Sequence, residues 1–175
     1  MKVRDMCLTA LMTALICIAA PLSIPLTGLV PISLATLTVY LAGALLGAKK
    51  GTLAVALYIL IGAAGLPVFS GFSGGVQKLV GVTGGYIVGY LPCAAVIGFA
   101  VERWGERKWV YPVSMVAGTA LCYIVGTAWF MFQMKVNLAG ALASCVIPFL
   151  PGDAAKIVVA SVLGVALRKR LLIAK

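Results

Sequence analysis

Long apolar runs, each closed by basic residues, a proline or clustered glycines, divide this chain. The first covers about 6–22, after Lys2 and Arg4. The second, 32–48, stops at Lys49-Lys50, and the third, 51–66, stops at Pro67. A glycine-rich stretch follows. The fourth run covers about 81–101 and contains Pro92, and the fifth covers 110–134. The sixth ends at Leu167, its start blurred by Pro148 and Pro151. Crossing a bilayer core takes about 20 apolar residues, so the pattern predicts six helical spans. The first run also has the layout of a signal peptide. Its far end, IAAPLSIPL, makes a weak cleavage site, and Cys17 follows Ala-Leu-Ile rather than a small residue. The run is therefore expected to be retained as a helix.

Composition strengthens this reading. Of 175 residues, 63% are hydrophobic and 10% charged, and mean hydropathy is +1.14. Soluble domains carry about a quarter charged residues. The expected fold class is an all-α integral membrane protein, one bundle of six transmembrane helices over 1–175. Membrane lipid is the expected surrounding.

The net charge of +10 gains meaning once the spans are drawn. With the N-terminus inside, eleven of the 14 basic residues fall in cytoplasmic segments. Lys78, Lys135 and Lys156 do not. Such a bias follows the positive-inside rule, and it predicts cytoplasmic N- and C-termini. No polar surface remains for nucleic acid. The segments on the outward side, 21–33, 67–81 and 134–152, are the longer ones, as expected of a protein that captures something from outside. A GxxxxGK loop is absent, so the chain does not hydrolyse ATP itself. It has no histidine, and its five cysteines form no CxxC pair. Zinc sites and histidine-based catalytic constellations are thereby disfavoured. Neither a metal, a cofactor nor an enzymatic activity is expected.

Within the sixth run, PFLPGDAAKI (148–157) carries Asp153 and Lys156. A spacing of three puts both on one helix face. Pro151 suits a first helical turn, and Asp153 suits the dipole there. Each charge costs roughly 2.5–3.5 kcal/mol at mid-membrane. Two readings account for the pair. It locks the helix to its neighbours, or it forms a ligand site. The double-proline break favours the second, because irregular backbone at depth is tolerated where it lines a cavity. Carboxylate and ammonium together match a ligand offering N–H donors and a carbonyl. A lysine alone would match a carboxylate. The glycine-rich stretch GFSGGVQKLVGVTGGY (71–86) is either a packing loop or a wall of exposed backbone N–H groups. In the second case Phe69, Phe72 and Tyr86 stack on a flat ring, and Gln77 and Thr83 supply hydrogen bonds. The lone Trp129 and the Trp104/Trp109 pair read as interfacial belt residues.

GLPVFSGFSGG (65–75), GVTGGYIVGYLP (81–92) and PFLPGDAAKI (148–157) together resemble the biotin-specific substrate-binding component, or S component, of energy-coupling-factor (ECF) transporters. The resemblance spans essentially the whole chain. It departs at Val82, where many members have proline. It implies biotin bound near the outer face, with Asp153 and Lys156 on the ureido ring. Tyr86 and the glycine-rich segment, including Phe72, Gly74, Gly75 and Thr83, would surround the rings and chain. Gln77 would add a polar contact. The implied partners are a transmembrane coupling protein, meeting Ala10 and Ala14 on the first helix, and two ATP-binding subunits that drive toppling of the whole protein in the bilayer. The alternative is a solitary carrier for biotin or a related vitamin, working without an ATP-binding module.

Overall fold

The computed structural model describes residues 3–24 and 32–173. Lys2, Lys175 and residues 25–31 of the first outward segment lie outside the described residues. In chain order the elements are α1 (Val3–Ala19), β1 (Ser23–Ile24), β2 (Ile32–Ser33), α2 (Ala35–Ala63), α3 (Val76–Val80), α4 (Gly84–Trp104), α5 (Val110–Met134), α6 (Leu138–Cys145), a 3-10 turn (Ile147–Phe149) and α7 (Leu150–Ile173). The strands form a short antiparallel ribbon, Ser23 opposite Ser33 and Ile24 opposite Ile32. Among the described residues four stretches are long and apolar enough to cross a membrane: Ala35–Ala63, Gly84–Trp104, Val110–Met134 and Leu138–Arg170.

α2 is two helices in one. Gly47, at φ +81 and ψ −178, breaks it into arms 35–46 and 48–63. The chain then doubles back, because a Cβ on Gly51 would lie 2.7 Å from the carbonyl oxygen of Ala42. In a straight helix nine residues would separate those positions by about 13 Å. The hairpin fits the sequence expectation of two runs meeting at Lys49-Lys50. Only a residue without a Cβ adopts this backbone at no steric cost. Such a side-chain atom would also lie 1.9 Å from the Glu102 carboxylate.

Glycine governs the close packing around this hairpin. A Cβ on Gly98 of α4 would come 2.3 Å from the backbone nitrogen of Ala48, and one on Gly43 2.8 Å from the carbonyl oxygen of Ala94. α4 thus lies directly against both arms, and α5 packs on its other side. Tyr40, Tyr58, Ile97 and Met115 are fully buried between them. The outward faces are apolar: Leu11, Ile18, Phe99, Ile124, Phe132, Val158 and Val162 are all exposed. That inversion of a soluble protein's surface is what a lipid solvent selects.

Specific ties sort the helix ends into two groups. At one end the Ser33 hydroxyl donates to the carbonyl of Ala20, Gly71 N–H to Pro21, and Trp129 Nε1 to Gly81. At the other, Lys50 pairs with Asp5 at 2.7 Å, and Arg168 donates to the carbonyl of Ala44 at 2.8 Å. The sequence reading treats 134–152 as connecting chain. It is instead largely helical, with Asn137 Oδ1 accepting from Gly140 N–H to cap α6. The sixth run then resumes at Leu150 with Pro151 in its first turn.

Candidate functional site

α7 begins beside the first turn of α2, and this convergence builds the site. Asp153 is buried in the first turn of α7, where the helix dipole favours a carboxylate. Lys156 Nζ donates to Asp153 Oδ1 at 2.9 Å and to Thr36 Oγ1 at 3.0 Å. The Thr36 hydroxyl in turn donates to Asp153 Oδ1 at 3.4 Å. From α5, the Tyr123 hydroxyl donates to Asp153 Oδ2 at 2.5 Å. Three helices therefore share one charged network, and each partner reduces the cost of burying the ions.

These groups line a narrow cavity of about 50 Å³. Tyr40, Tyr86 and Tyr90 form an aromatic wall, Cys93, Cys122 and Cys145 add sulfur, and Phe149 covers one side. The wall is itself ordered. The Tyr40 hydroxyl shares a hydrogen bond with Thr119 (2.6 Å), and the Tyr86 hydroxyl shares one with Thr127 (3.3 Å). An ammonium carries three N–H donors and a carboxylate about four acceptor positions. Among the described residues Lys156 uses two donors, and Asp153 Oδ2 accepts one bond. A donor and an acceptor thus remain side by side in an apolar, aromatic recess. That arrangement suits a planar cyclic group with adjacent N–H and C=O. It offers no nucleophile–base pair, and among the described residues no cluster of metal-binding side chains occurs.

Of the residues singled out in the sequence, the cavity brings together Asp153, Lys156 and Tyr86. Phe72, with φ +55 and largely exposed, lines an adjacent groove of about 400 Å³ with Gly71, Pro21 and Ser23. Ser33 borders both hollows. Gly74, Gly75, Gln77 and Thr83 do not line the cavity. Gly74 packs against the backbone of Leu66, Gly75 adopts φ +91 ahead of α3, Gln77 is exposed and Thr83 precedes α4. Phe69 is core rather than wall. It fills the space left by Gly62 and meets Tyr58 edge-on at 5.5 Å. Nor is Trp129 only a belt residue, since its indole bonds to Gly81 and its Cβ occupies the space beside Gly85. Thr36, Tyr40, Tyr90 and Tyr123 escape the sequence reading. The one available signal is the i, i+4 spacing of Tyr86 and Tyr90, which puts both on one face of α4.

On α1, Ala10 and Ala14 are exposed, whereas Thr9 and Thr13 are buried. The Thr13 hydroxyl bonds the carbonyls of Thr9 and Ala54. The small-residue face is therefore the outer one. Beside Ala10 runs an apolar groove of about 500 Å³ formed with Met6, Leu53 and Leu57.

Known proteins resemble the chain over nearly its whole length. The profile of the BioY family matches residues 1–172. The biotin transporter BioY of Thermotoga maritima is 42% identical over 166 residues, covering 95% of this chain and 96% of that protein. The biotin transporter BioY2 of Lactococcus lactis subsp. cremoris is 32% identical over 170 residues, covering 97% and 93%. A crystal structure of the S-component for biotin from an ECF-type ABC transporter superposes with a TM-score of 0.89 at 32% identity, covering 96% of this chain and 92% of that one.

Proposed function

The chain belongs to the BioY family, and from that premise we propose that it captures biotin at the outer face of the cell membrane and takes it up as the S component of an ECF-type ATP-driven transporter. It is a membrane transport protein, not an enzyme. The observation that carries the ligand assignment is the Asp153–Lys156–Thr36–Tyr123 network lining an aromatic cavity. The ureido ring of biotin offers two N–H donors and one carbonyl. Asp153 accepts from the ring N–H groups and Lys156 donates to the carbonyl. Tyr86 flanks the fused rings. Phe72 and the segment holding Gly74, Gly75, Gln77 and Thr83 contribute toward the chain, through the neighbouring groove. The cavity is small beside the roughly 300–1,000 Å³ of a formed ligand pocket, so its walls separate as biotin enters.

The proposed topology has six spans: α1, the two arms of α2, α4, α5 and α7. Nine of the twelve described basic residues, from Arg4 to Arg170, cluster at the helix ends opposite the cavity. The positive-inside rule makes that end cytoplasmic, with both termini there and the cavity outward. Since the chain has no ATP-binding loop, the proposed energy source is a coupling protein and two ATP-binding subunits.

Titration of the purified protein with biotin tests the assignment. Sub-micromolar binding is expected for the parent. Removing one partner of a buried ion pair costs about 3–5 kcal/mol, so Lys156→Ala and Asp153→Asn each weaken binding by roughly a hundredfold or more. Unaltered affinity in both folded variants returns the pair to a purely structural role.

A further inference from the structure

A second large hollow lies at the opposite end from the biotin cavity. It measures about 590 Å³, between the α4–α5 turn and the last turns of α7. Its floor is apolar, built from Val101, Tyr111 and Val165. Its rim carries Arg103, Arg107, Lys108, Arg168 and Lys169, against Glu102 and Glu106. Arg168 is anchored by its bond to Ala44. Among the described residues the other four cations form no ion pair, although two carboxylates stand nearby. A concave site with a hydrocarbon floor and an excess of uncompensated cations has the chemistry of an anion receptor.

Its depth in the bilayer narrows the ligand. Trp104 is half-exposed and packs edge-on against exposed Phe99, ring centroids 6.3 Å apart. Trp109 is exposed on the same turn. Aromatic side chains of this kind settle at the headgroup level. The hollow therefore opens where lipid phosphates lie, with exposed Phe99 alongside for an acyl chain.

We infer that this hollow binds the phosphate headgroup of an anionic phospholipid, held by Arg107, Lys108 and Lys169 with Arg168 fixed behind them. The inference rests on the membrane topology proposed above and is independent of the biotin site. A lipid held here bridges the α4–α5 turn to α7, two segments the hollow separates.

The test uses the full chain reconstituted in bilayers, with tryptophan quenching by brominated phosphatidylglycerol compared with brominated phosphatidylcholine. Trp104 and Trp109 report on the hollow, and Trp129, at the other end, supplies a constant background. The parent is expected to prefer phosphatidylglycerol by about tenfold or more, since each cation near the surface contributes several-fold. The double variant Arg107→Gln/Lys108→Gln, at exposed positions whose side chains make no hydrogen bond among the described residues, is expected to lose most of that preference while biotin affinity stays unchanged. Lys49→Gln, outside the hollow, is expected to retain it. Equal quenching by the two lipids in the parent overturns the proposal. So does an equal loss in Lys49→Gln, which marks a general surface potential. Abolition of the preference by added inorganic phosphate at constant ionic strength assigns the site to a soluble anion, and also overturns it. Loss of biotin binding in the parent would instead strike the transport reading and leave the lipid measurement standing.

Discussion

At Asp153 the decisive quantity is how many bonds a buried carboxylate keeps. Lys156, Thr36 and Tyr123 all converge on it, and the ion is tolerable only because they do. Tyr123→Phe removes one hydrogen bond to a charged group, worth about 1.5–3 kcal/mol, and leaves the ring in place. Biotin affinity is expected to fall roughly ten- to a hundredfold, measured by calorimetric titration, with the thermal midpoint of the protein only modestly lowered. A loss as great as that of Asp153→Asn would mean that the hydroxyl touches the ligand as well as the carboxylate. Asp153 and Lys156 are legible in the sequence because charge inside an apolar run is conspicuous. Thr36 and Tyr123 are not, because hydroxyls occur throughout membrane helices at little cost. Their meeting with Asp153 spans 117 and 30 residues respectively, a matter of helix packing that no local pattern records.

Among the helices, the apolar runs give the order of the long helical segments well, because lipid demands long uninterrupted stretches. They give the roles of the glycines poorly. The cluster at 71–86 reads equally as a packing loop or a ligand wall, and there as elsewhere in the chain glycines act sterically. Phe69 occupies the space above Gly62, Trp129 that beside Gly85, and Tyr86 that beside Gly126. Each glycine is a slot for a side chain from another segment of the chain, and a slot is invisible without its occupant. Gly126→Ala tests the idea, because the new Cβ would sit 2.3 Å from Tyr86 Cδ1. Overpacking costs about 1–3 kcal/mol, and here it is relieved by turning Tyr86 in the cavity. Biotin binding is expected to weaken about tenfold or more while the protein remains folded. Gly98→Ala should behave differently, since its Cβ would meet backbone of Ala48, which has no rotamer to change. Thermal unfolding in detergent is expected to show a large loss of stability for Gly98→Ala. Gly164→Ala, whose nearest neighbour is the Tyr111 ring at 3.1 Å, is expected to show little.

For the molecule as a whole, the cavity around Asp153 takes no lining residue from α1, whose two sides differ in what they touch. The inward side is committed to folding, with Thr9 and Thr13 buried and Thr13 tied to Ala54. The outward side shows Ala10 and Ala14, one turn apart, beside the groove of Met6, Leu53 and Leu57. Small residues at this spacing let a second helix approach closely, and the cavity around Asp153 shares none of them. Ala14→Leu enlarges that face without touching the interior, so the purified variant should bind biotin as the parent does. If a coupling protein docks there, uptake of labelled biotin by cells carrying the complete transporter falls severalfold, and the coupling and ATP-binding subunits no longer copurify. A solitary carrier gives the opposite pattern. Its uptake survives both Ala14→Leu and deletion of the ATP-binding subunits, because no helix from outside has to reach α1. Full uptake with intact copurification would place the docking face elsewhere on the bundle, leaving AxxxA as a lipid-facing surface and nothing more.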